Sequence, residues 1–169
     1  MNFFQFVFQD WHINKGNIKF RIFLVLFRVA NFCSLKPWYK YVGLPYIILY
    51  KFLIQWIFTL EVPYNISIGR NFSIYHGQAL ILNYDVVIGA NCTLRHCTTI
   101  GVKTLANGEE SAAPIIGDNV DVGNNVSIIG NVCIGNNVKI GSGTVVIKDI
   151  ESNCIAVGNP ARQILMNRA

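Results

Sequence analysis

From Ile116 onward every sixth residue is a branched aliphatic: Ile116, Val122, Ile128, Ile134, Ile140 and Val146. Glycine follows four of them, at Gly117, Gly123, Gly135 and Gly141, and a second small apolar or β-branched residue stands two places before the next (Val120, Val126, Val132, Val138, Thr144). A period of six is neither the 3.6 residues of a helix nor the alternation of a plain strand; it predicts a solenoid whose faces are short strands joined by turns. The same spacing runs back through Val62, Ile68, Ile74, Leu80, Ile88, Leu94 and Ile100, with two extra residues between Leu80 and Ile88. Three faces make a coil, so coil one is Val62, Ile68 and Ile74, coil two is Leu80, Ile88 and Leu94, and coil three opens at Ile100. Residues 101–115 carry no repeat and predict a loop leaving the solenoid, the kind of segment on which rigid scaffolds tend to place function.

The third residue after each aliphatic reads Asn65, Asn71, Gly77, Asn83, Asn91, Cys97, Asn119, Asn125, Asn131, Asn137, Gly143 and Asp149. Asn and Gly tolerate positive φ most easily, which predicts a left-handed residue at every corner. Cys97, beside His96, breaks that rule, and local rules tend to fail at functional sites.

Residues 1–60 read differently: apolar and helical, with no period of six. One helix covers Asn17 to Cys33; Ser34 to Tyr41, with Pro37 in it, predicts a break. Gly43 and Pro45 then open a second helix to about Leu60, whose polar residues Lys51, Gln55 and Thr59 make one thin stripe. About 17 apolar residues around a central lysine fall short of the roughly 20 a membrane span needs. Lying in a membrane interface, with Trp38, Tyr39 and Trp56 around it, or packing on other subunits or the solenoid end, are the other two expectations.

Composition changes the picture at one point. The chain has 169 residues, 52% hydrophobic and 14% charged, enough for one domain with an appendage and unusually apolar. The net charge of +5 is carried by residues 1–60, which hold seven Lys or Arg against the single acid Asp10. That imbalance predicts an anionic neighbour such as a membrane surface or an acidic polymer. Nucleic acid is a poor fit, because no recognition motif accompanies the charge. Five scattered cysteines without a C-x-x-C pair predict buried free thiols in a reducing compartment. The N-terminus shows no basic leader or small-residue cleavage site, so a cytoplasmic location, with contact to the inner membrane face through residues 1–60, is expected.

Candidate chemistry follows from the register. His76 lies two residues after Ile74 and His96 two after Leu94, both third faces, so the two imidazoles share one corner of adjacent coils, roughly 4.8 Å apart along the axis. With the loop between the first and second faces of coil three, Asn124 and Ser142 continue that corner, and Glu61, just before the first face, lies near the same edge, about one coil below Ala79.

The repeats of the form I-G-x-N-V-x, such as Ile134 to Lys139, and the closing stretch I-A-V-G-N-P-A-R over residues 155–162 resemble the hexapeptide-repeat acyltransferases. The resemblance covers about residues 61–165 and implies a left-handed parallel β-helix, a homotrimer or dimer of trimers with active sites between subunits, and acetyl-CoA as co-substrate without a metal. In the serine acetyltransferase branch the catalytic His sits in a hexapeptide like Ile74-Tyr-His-Gly-Gln-Ala, with an acid fifteen residues earlier; here those positions are His76, the implied general base, and Glu61 in place of the usual Asp. Two features of that branch are missing: its Asp before the His is Tyr75, and its His before the loop's closing Pro is Ala113, ahead of Pro114. The pattern looks more like the branch that O-acetylates sugars of capsule, colanic-acid-type and other exopolysaccharides, whose acceptor is a saccharide, anionic or lipid-linked. His96 is expected to assist the base or bind acceptor, with Tyr75 and Arg95 beside the two histidines as further acceptor contacts. Asn124 and Ser142 flank the expected CoA groove, and Lys148 and Arg162 are natural partners for its phosphates. Serine as acceptor, a non-catalytic trimeric scaffold, and a metal hydratase of the γ-carbonic-anhydrase type are the competing expectations; the last needs three His per metal, and only His12, His76 and His96 exist, His12 outside the repeat. The last residues, 166–169, read as a tail.

Overall fold

A computed structural model of the chain describes residues 2–166. All but Met166 of the predicted tail lies outside the described residues. From Glu61 on, each period of six becomes a strand of two or three residues and a turn, and three parallel sheets result. The first holds β1 (Ser67–Ile68), β4 (Val87–Ile88), β7 (Ile115–Ile116) and β10 (Cys133–Ile134). The second holds β2 (Ser73–Tyr75), β5 (Thr93–Arg95), β8 (Asp121–Val122), β11 (Lys139–Ile140) and β13 (Cys154–Val157), closed by an antiparallel β14 (Arg162–Leu165). The third holds β3 (Ile81–Leu82), β6 (Thr99–Gly101), β9 (Ser127–Ile129) and β12 (Val145–Val146). The periodic aliphatics point inward and are buried, as are the residues two places before them, so the core is a continuous column along the axis of a left-handed parallel β-helix.

The register differs from the sequence expectation at one place. Glu61 bridges to Ile81, and Leu82, not Leu80, pairs with Ile100. The two extra residues therefore sit between Ile74 and Leu82, at the corner that carries His76. Leu80 takes the inner position two places before the face, where an aliphatic is equally welcome, so spacing alone could not choose between the two leucines.

A left-handed residue recurs coil after coil at two of the three corners, while the third, its loop aside, has one only at Gly130 among the described residues. Between the first and second sheets Asn71, Asn91, Asn119, Asn137 and Asn153 all have positive φ. Their amides join in a ladder, each Nδ2–H donating to the Oδ1 of the next coil at 2.9–3.0 Å. Between the second and third sheets Cys97, Asn125 and Gly143 are left-handed, and Cys97 thus obeys the rule its side chain seemed to break. The third corner, with Asn65, Asn83, Asn131 and Asp149, does not use this conformation at those residues.

The N-terminal segment forms α1 (Phe3–Val7), α2 (Ile18–Ser34) and α3 (Pro37–Phe52), the last running on as a π-helical turn, Leu53–Phe58. The second long helix thus begins six residues earlier than expected, because Pro37 sits at its first turn, where a missing N–H costs nothing. Pro45 lies inside it.

These helices close the open end of the solenoid. A first coil exposes backbone groups with no coil beneath to bond them, and buried unpaired N–H and C=O groups are costly. Side chains from the helices supply the partners. Arg28 donates to the Ile68 and Gly69 carbonyls at 2.7 and 2.6 Å, Asn31 to those of Tyr64 and Ile66, Asn14 to that of Phe72, and the Tyr50 hydroxyl to that of Val62. Asp10 accepts from the Phe72 N–H and Asn14 from the Ile74 N–H. Phe20, Phe23, Phe27, Tyr50 and Ile54 join the same hydrophobic core as the coils.

Candidate active site

The corner between the second and third sheets brings His76 and His96 together. Ile74 pairs with Leu94 and Tyr75 with Arg95, so the next residues, the two histidines, stack in adjacent coils. Their rings meet edge to face with centroids 5.9 Å apart. His76 is exposed and His96 half-buried. His96 Nδ1 is buried and has no hydrogen-bond partner among the described residues.

The two inserted residues explain why His76 stands out. In later coils the corner residue's carbonyl accepts from the coil above: His96 from Asn125 N–H and Asn124 from Gly143 N–H. In the first coil Gln78, not His76, takes that place and accepts from Cys97 N–H. The chain bulges by two residues, and His76 and Ala79 both adopt positive φ to make the detour. A non-glycine residue in that conformation is strained and is kept where its surroundings enforce it. Gly77, expected to be the left-handed residue, is not; it is buried, and a Cβ there would run into the Phe20 ring of α2. Asn17 of the helix start donates to the Ile74 carbonyl at 3.2 Å. The helical segment thus buttresses the bulged corner directly.

Glu61 is exposed, and its backbone pairs with Ile81 rather than lying below Ala79. No hydrogen bond joins it to His76 among the described residues. It lines a groove with Gln55, Trp56, Ala79 and Ile81, between the end of the π-helical turn and the bulge. On its other side it lines a cavity of about 380 Å³ with Lys51, Tyr64 and Tyr84. Sequence reasoning missed these two tyrosines, which occupy unremarkable repeat positions.

Tyr75 is exposed, and the Arg95 guanidinium lies 5.7 Å from its ring centroid. Arg95 is also ion-paired with Asp121 and donates to the Val122 carbonyl at 2.8 Å, so part of its hydrogen-bonding capacity is already spent. Asn124 and Ser142 continue the histidine corner as expected, the Ser142 hydroxyl lying 2.6 Å from Asn124 Oδ1. Lys148 does not share that corner: it follows β12 on the opposite edge of the third sheet, the edge from which the loop departs, residues 102–114 and not 101–115, because Gly101 and Ile115 are strand residues. Arg162 opens β14, opposite Val157. Both are exposed, Lys148 just after the last strand of the third sheet and Arg162 on the antiparallel strand that closes the second. Cys92 and Cys154 are buried, and burial pushes the Cys92 thiol up; Cys97 and Cys133 are exposed and Cys33 half-buried, so only two of the five match the expected buried thiols.

No family model matches the chain. Individual proteins do. It is 35% identical over 160 residues to the Escherichia coli K12 protein provisionally named colanic acid biosynthesis acetyltransferase WcaB, covering 91% of this chain and 96% of that one. It is 40% identical over 108 residues to the E. coli K12 galactoside O-acetyltransferase, covering 59% of this chain and 53% of that one. Among solved structures, the soybean serine acetyltransferase apoenzyme superposes with a TM-score of 0.80 at 25% identity, covering 96% of this chain and 69% of that one. The solenoid, its six-residue period and a full-length relative of this kind make the chain an acyltransferase: it belongs to the hexapeptide-repeat acetyltransferases.

Proposed function

We propose that the chain transfers the acetyl group of acetyl-CoA to a sugar hydroxyl in exopolysaccharide or capsule synthesis, with His76 as general base. The observation that carries this is the paired imidazoles, 5.9 Å apart on a corner bulged to present His76 to solvent. An alcohol attacks a thioester poorly until its proton is being removed. His76 takes that proton as the hydroxyl oxygen bonds to the thioester carbonyl carbon. The tetrahedral intermediate then collapses, the carbon–sulfur bond breaks, and the imidazolium returns the proton to the departing CoA thiolate. No covalent enzyme intermediate forms. A positioned base contributes about 10²–10⁴-fold. The role of orienting the His76 imidazole is assigned to Glu61, which lines the groove beside the bulge but is not hydrogen-bonded to His76 in this structure, and His96 binds the acceptor beside it. The Tyr64 and Tyr84 rings next to Glu61 offer apolar faces of the kind sugar rings stack on. CoA lies along the third sheet, between the corner of Asn124 and Ser142 and the edge of Lys148, in a homotrimer whose neighbouring subunit completes the groove.

Serine is the second acceptor to consider, because a serine acetyltransferase is so close in fold. Tyr75 and Ala113 stand where that branch carries acid and histidine. The test is acetyl-CoA turnover with serine, simple sugars, nucleotide sugars and acidic oligosaccharides, read by chromatographic quantitation of CoA because exposed Cys97 and Cys133 would react with thiol reagents. Turnover on a saccharide and not on serine is expected; turnover on serine alone overturns the reading. His76→Ala is expected to lower kcat by about 10²–10⁴-fold with the fold intact. Retained activity removes His76 as the base.

A further inference from the structure

The helix of residues 37–58 turns an unusual face to solvent. Its inner side is held: Ile47, Tyr50 and Ile54 are buried, and the Tyr46 and Tyr50 hydroxyls donate to the Leu26 and Val62 carbonyls. The opposite side, where a surface helix is normally polar, carries Trp38, Tyr41, Ile48, Leu49, Phe52 and Trp56. Each is at least half exposed, up to 81% for Tyr41 and 76% for Trp56. The polar stripe of Lys51, Gln55 and Thr59 therefore marks a flank of the helix and not its whole solvent side. Contiguous exposed apolar surface of this kind marks a contact.

We propose that this face docks in the interface of an anionic lipid bilayer, with the helix lying in the plane of the membrane. Three observations select that occupant. Two of the chain's three tryptophans stand at the two ends of the stripe, eighteen residues apart, where the amphipathic indole suits the headgroup level. Lys40 and Lys51, eleven residues apart, ride one flank of the same helix with Lys36 just before it, and Lys15 and Lys19 are exposed on the neighbouring segment. The sole acid of the first sixty residues, Asp10, is buried against Arg28, so this part of the molecule presents only positive charge. That charge complements anionic headgroups. It disfavours an antiparallel two-fold contact with a second copy, in which the lysine flank meets itself. The helix is long enough to cross a bilayer, at about 33 Å for 22 residues. Its inner side is committed to the core, however, so it lies on the membrane and does not span it. Trp56 also lines the groove shared with Glu61 and Ala79, which sets the docked face beside the histidine corner.

Co-sedimentation of the full-length protein with vesicles of phosphatidylcholine and phosphatidylglycerol, compared with phosphatidylcholine alone, tests this. Binding to the anionic vesicles, weakened by salt and accompanied by a blue shift of tryptophan emission, is expected. Ile48→Asp removes a side chain from the bilayer and is expected to weaken binding roughly tenfold or more. Lys40→Gln is expected to weaken it about fivefold. Both positions are exposed, so an unchanged thermal midpoint is expected of each variant. Absence of binding to anionic vesicles at low salt overturns the proposal. So does an Ile48→Asp variant that binds vesicles normally while its oligomer mass falls in sedimentation equilibrium, since the face is then a subunit contact. Resistance to alkaline carbonate extraction overturns the in-plane arrangement.

Discussion

Asp10→Ala is the sharpest probe of how the helical segment is held to the solenoid. Asp10 and Arg28 are each 1% exposed. The guanidinium grips the carboxylate twice, Nε to Oδ2 at 2.7 Å and Nη2 to Oδ1 at 3.2 Å, while its other N–H groups donate to Ile68 and Gly69. Asp10 Oδ1 also accepts the Phe72 N–H at 2.9 Å. Alanine leaves a full positive charge buried beside two carbonyl dipoles and orphans one backbone donor. Removing one partner of a buried pair costs about 3–5 kcal/mol. The stranded N–H is part of the same network, so its own penalty does not simply add. For a chain of this size each kcal/mol moves Tm by about 2–4 °C, which gives a fall of roughly 6–20 °C. Circular dichroism melts at pH 7 and fixed protein concentration read it. Asp10→Asn, which keeps an acceptor for Phe72 but loses the charge, is expected between wild type and alanine. The double variant Asp10→Leu with Arg28→Met is expected to recover part of the loss, since two apolar side chains replace an ion pair with little penalty, but not all, because Ile68 and Gly69 lose their donors. An alanine variant costing less than about 1 kcal/mol would show that water reaches the guanidinium and that the cap is not closed.

The asparagine ladder makes a separate prediction: Asn119→Ala and Asn119→Gly lose the same two amide bonds, but only alanine is strained at φ near +57°, so alanine is expected to be less stable than glycine by about 1 kcal/mol in urea unfolding, and equal stability would remove the conformational argument. Alkaline stability follows from the helix tyrosines. Burial, helped by the neighbouring Cys33, pushes the Tyr46 hydroxyl up to about 12, and burial, with Tyr46 beside it, pushes Tyr50 further in the same direction. An unfolded phenol ionises near 10, so the stabilisation is complete below about pH 10 and is lost as pH rises toward and beyond 12. Tyr50→Phe is expected to shed about 1 kcal/mol with its Val62 bond and to show a shallower alkaline decline; an unchanged decline refutes the assignment.

What the sequence made legible was whatever the backbone repeats. The column of aliphatics, the asparagine corners and the pairing of His76 with His96 all follow from a period of six, because side chains on equivalent turns must stack. The place of the two-residue insertion was not legible. Leu80 and Leu82 are both buried, and only the backbone pairing with the coils on either side, Glu61 with Ile81 and Leu82 with Ile100, decides which of them is the face. The cap was legible in part. Asp10, Asn14, Asn17, Arg28 and Asn31 stand out as polar residues in an apolar segment, but their partners are mostly backbone groups of the first coil, which every residue has and which leave no mark in the sequence. That gap bears on the site itself. His76 sits on a strained bulge, and strain persists only where packing and hydrogen bonds over-determine it. Here Asn17 bonds the carbonyl of Ile74, Asn14 its N–H, and Phe20 fills the space that Gly77 leaves. The helices that the period of six says nothing about are therefore what fixes the position of the proposed base. Phe20→Ala, made to relax that support, is expected to cost about 3–5 kcal/mol of stability, and to lower turnover more than stability alone would at temperatures where the variant is still folded.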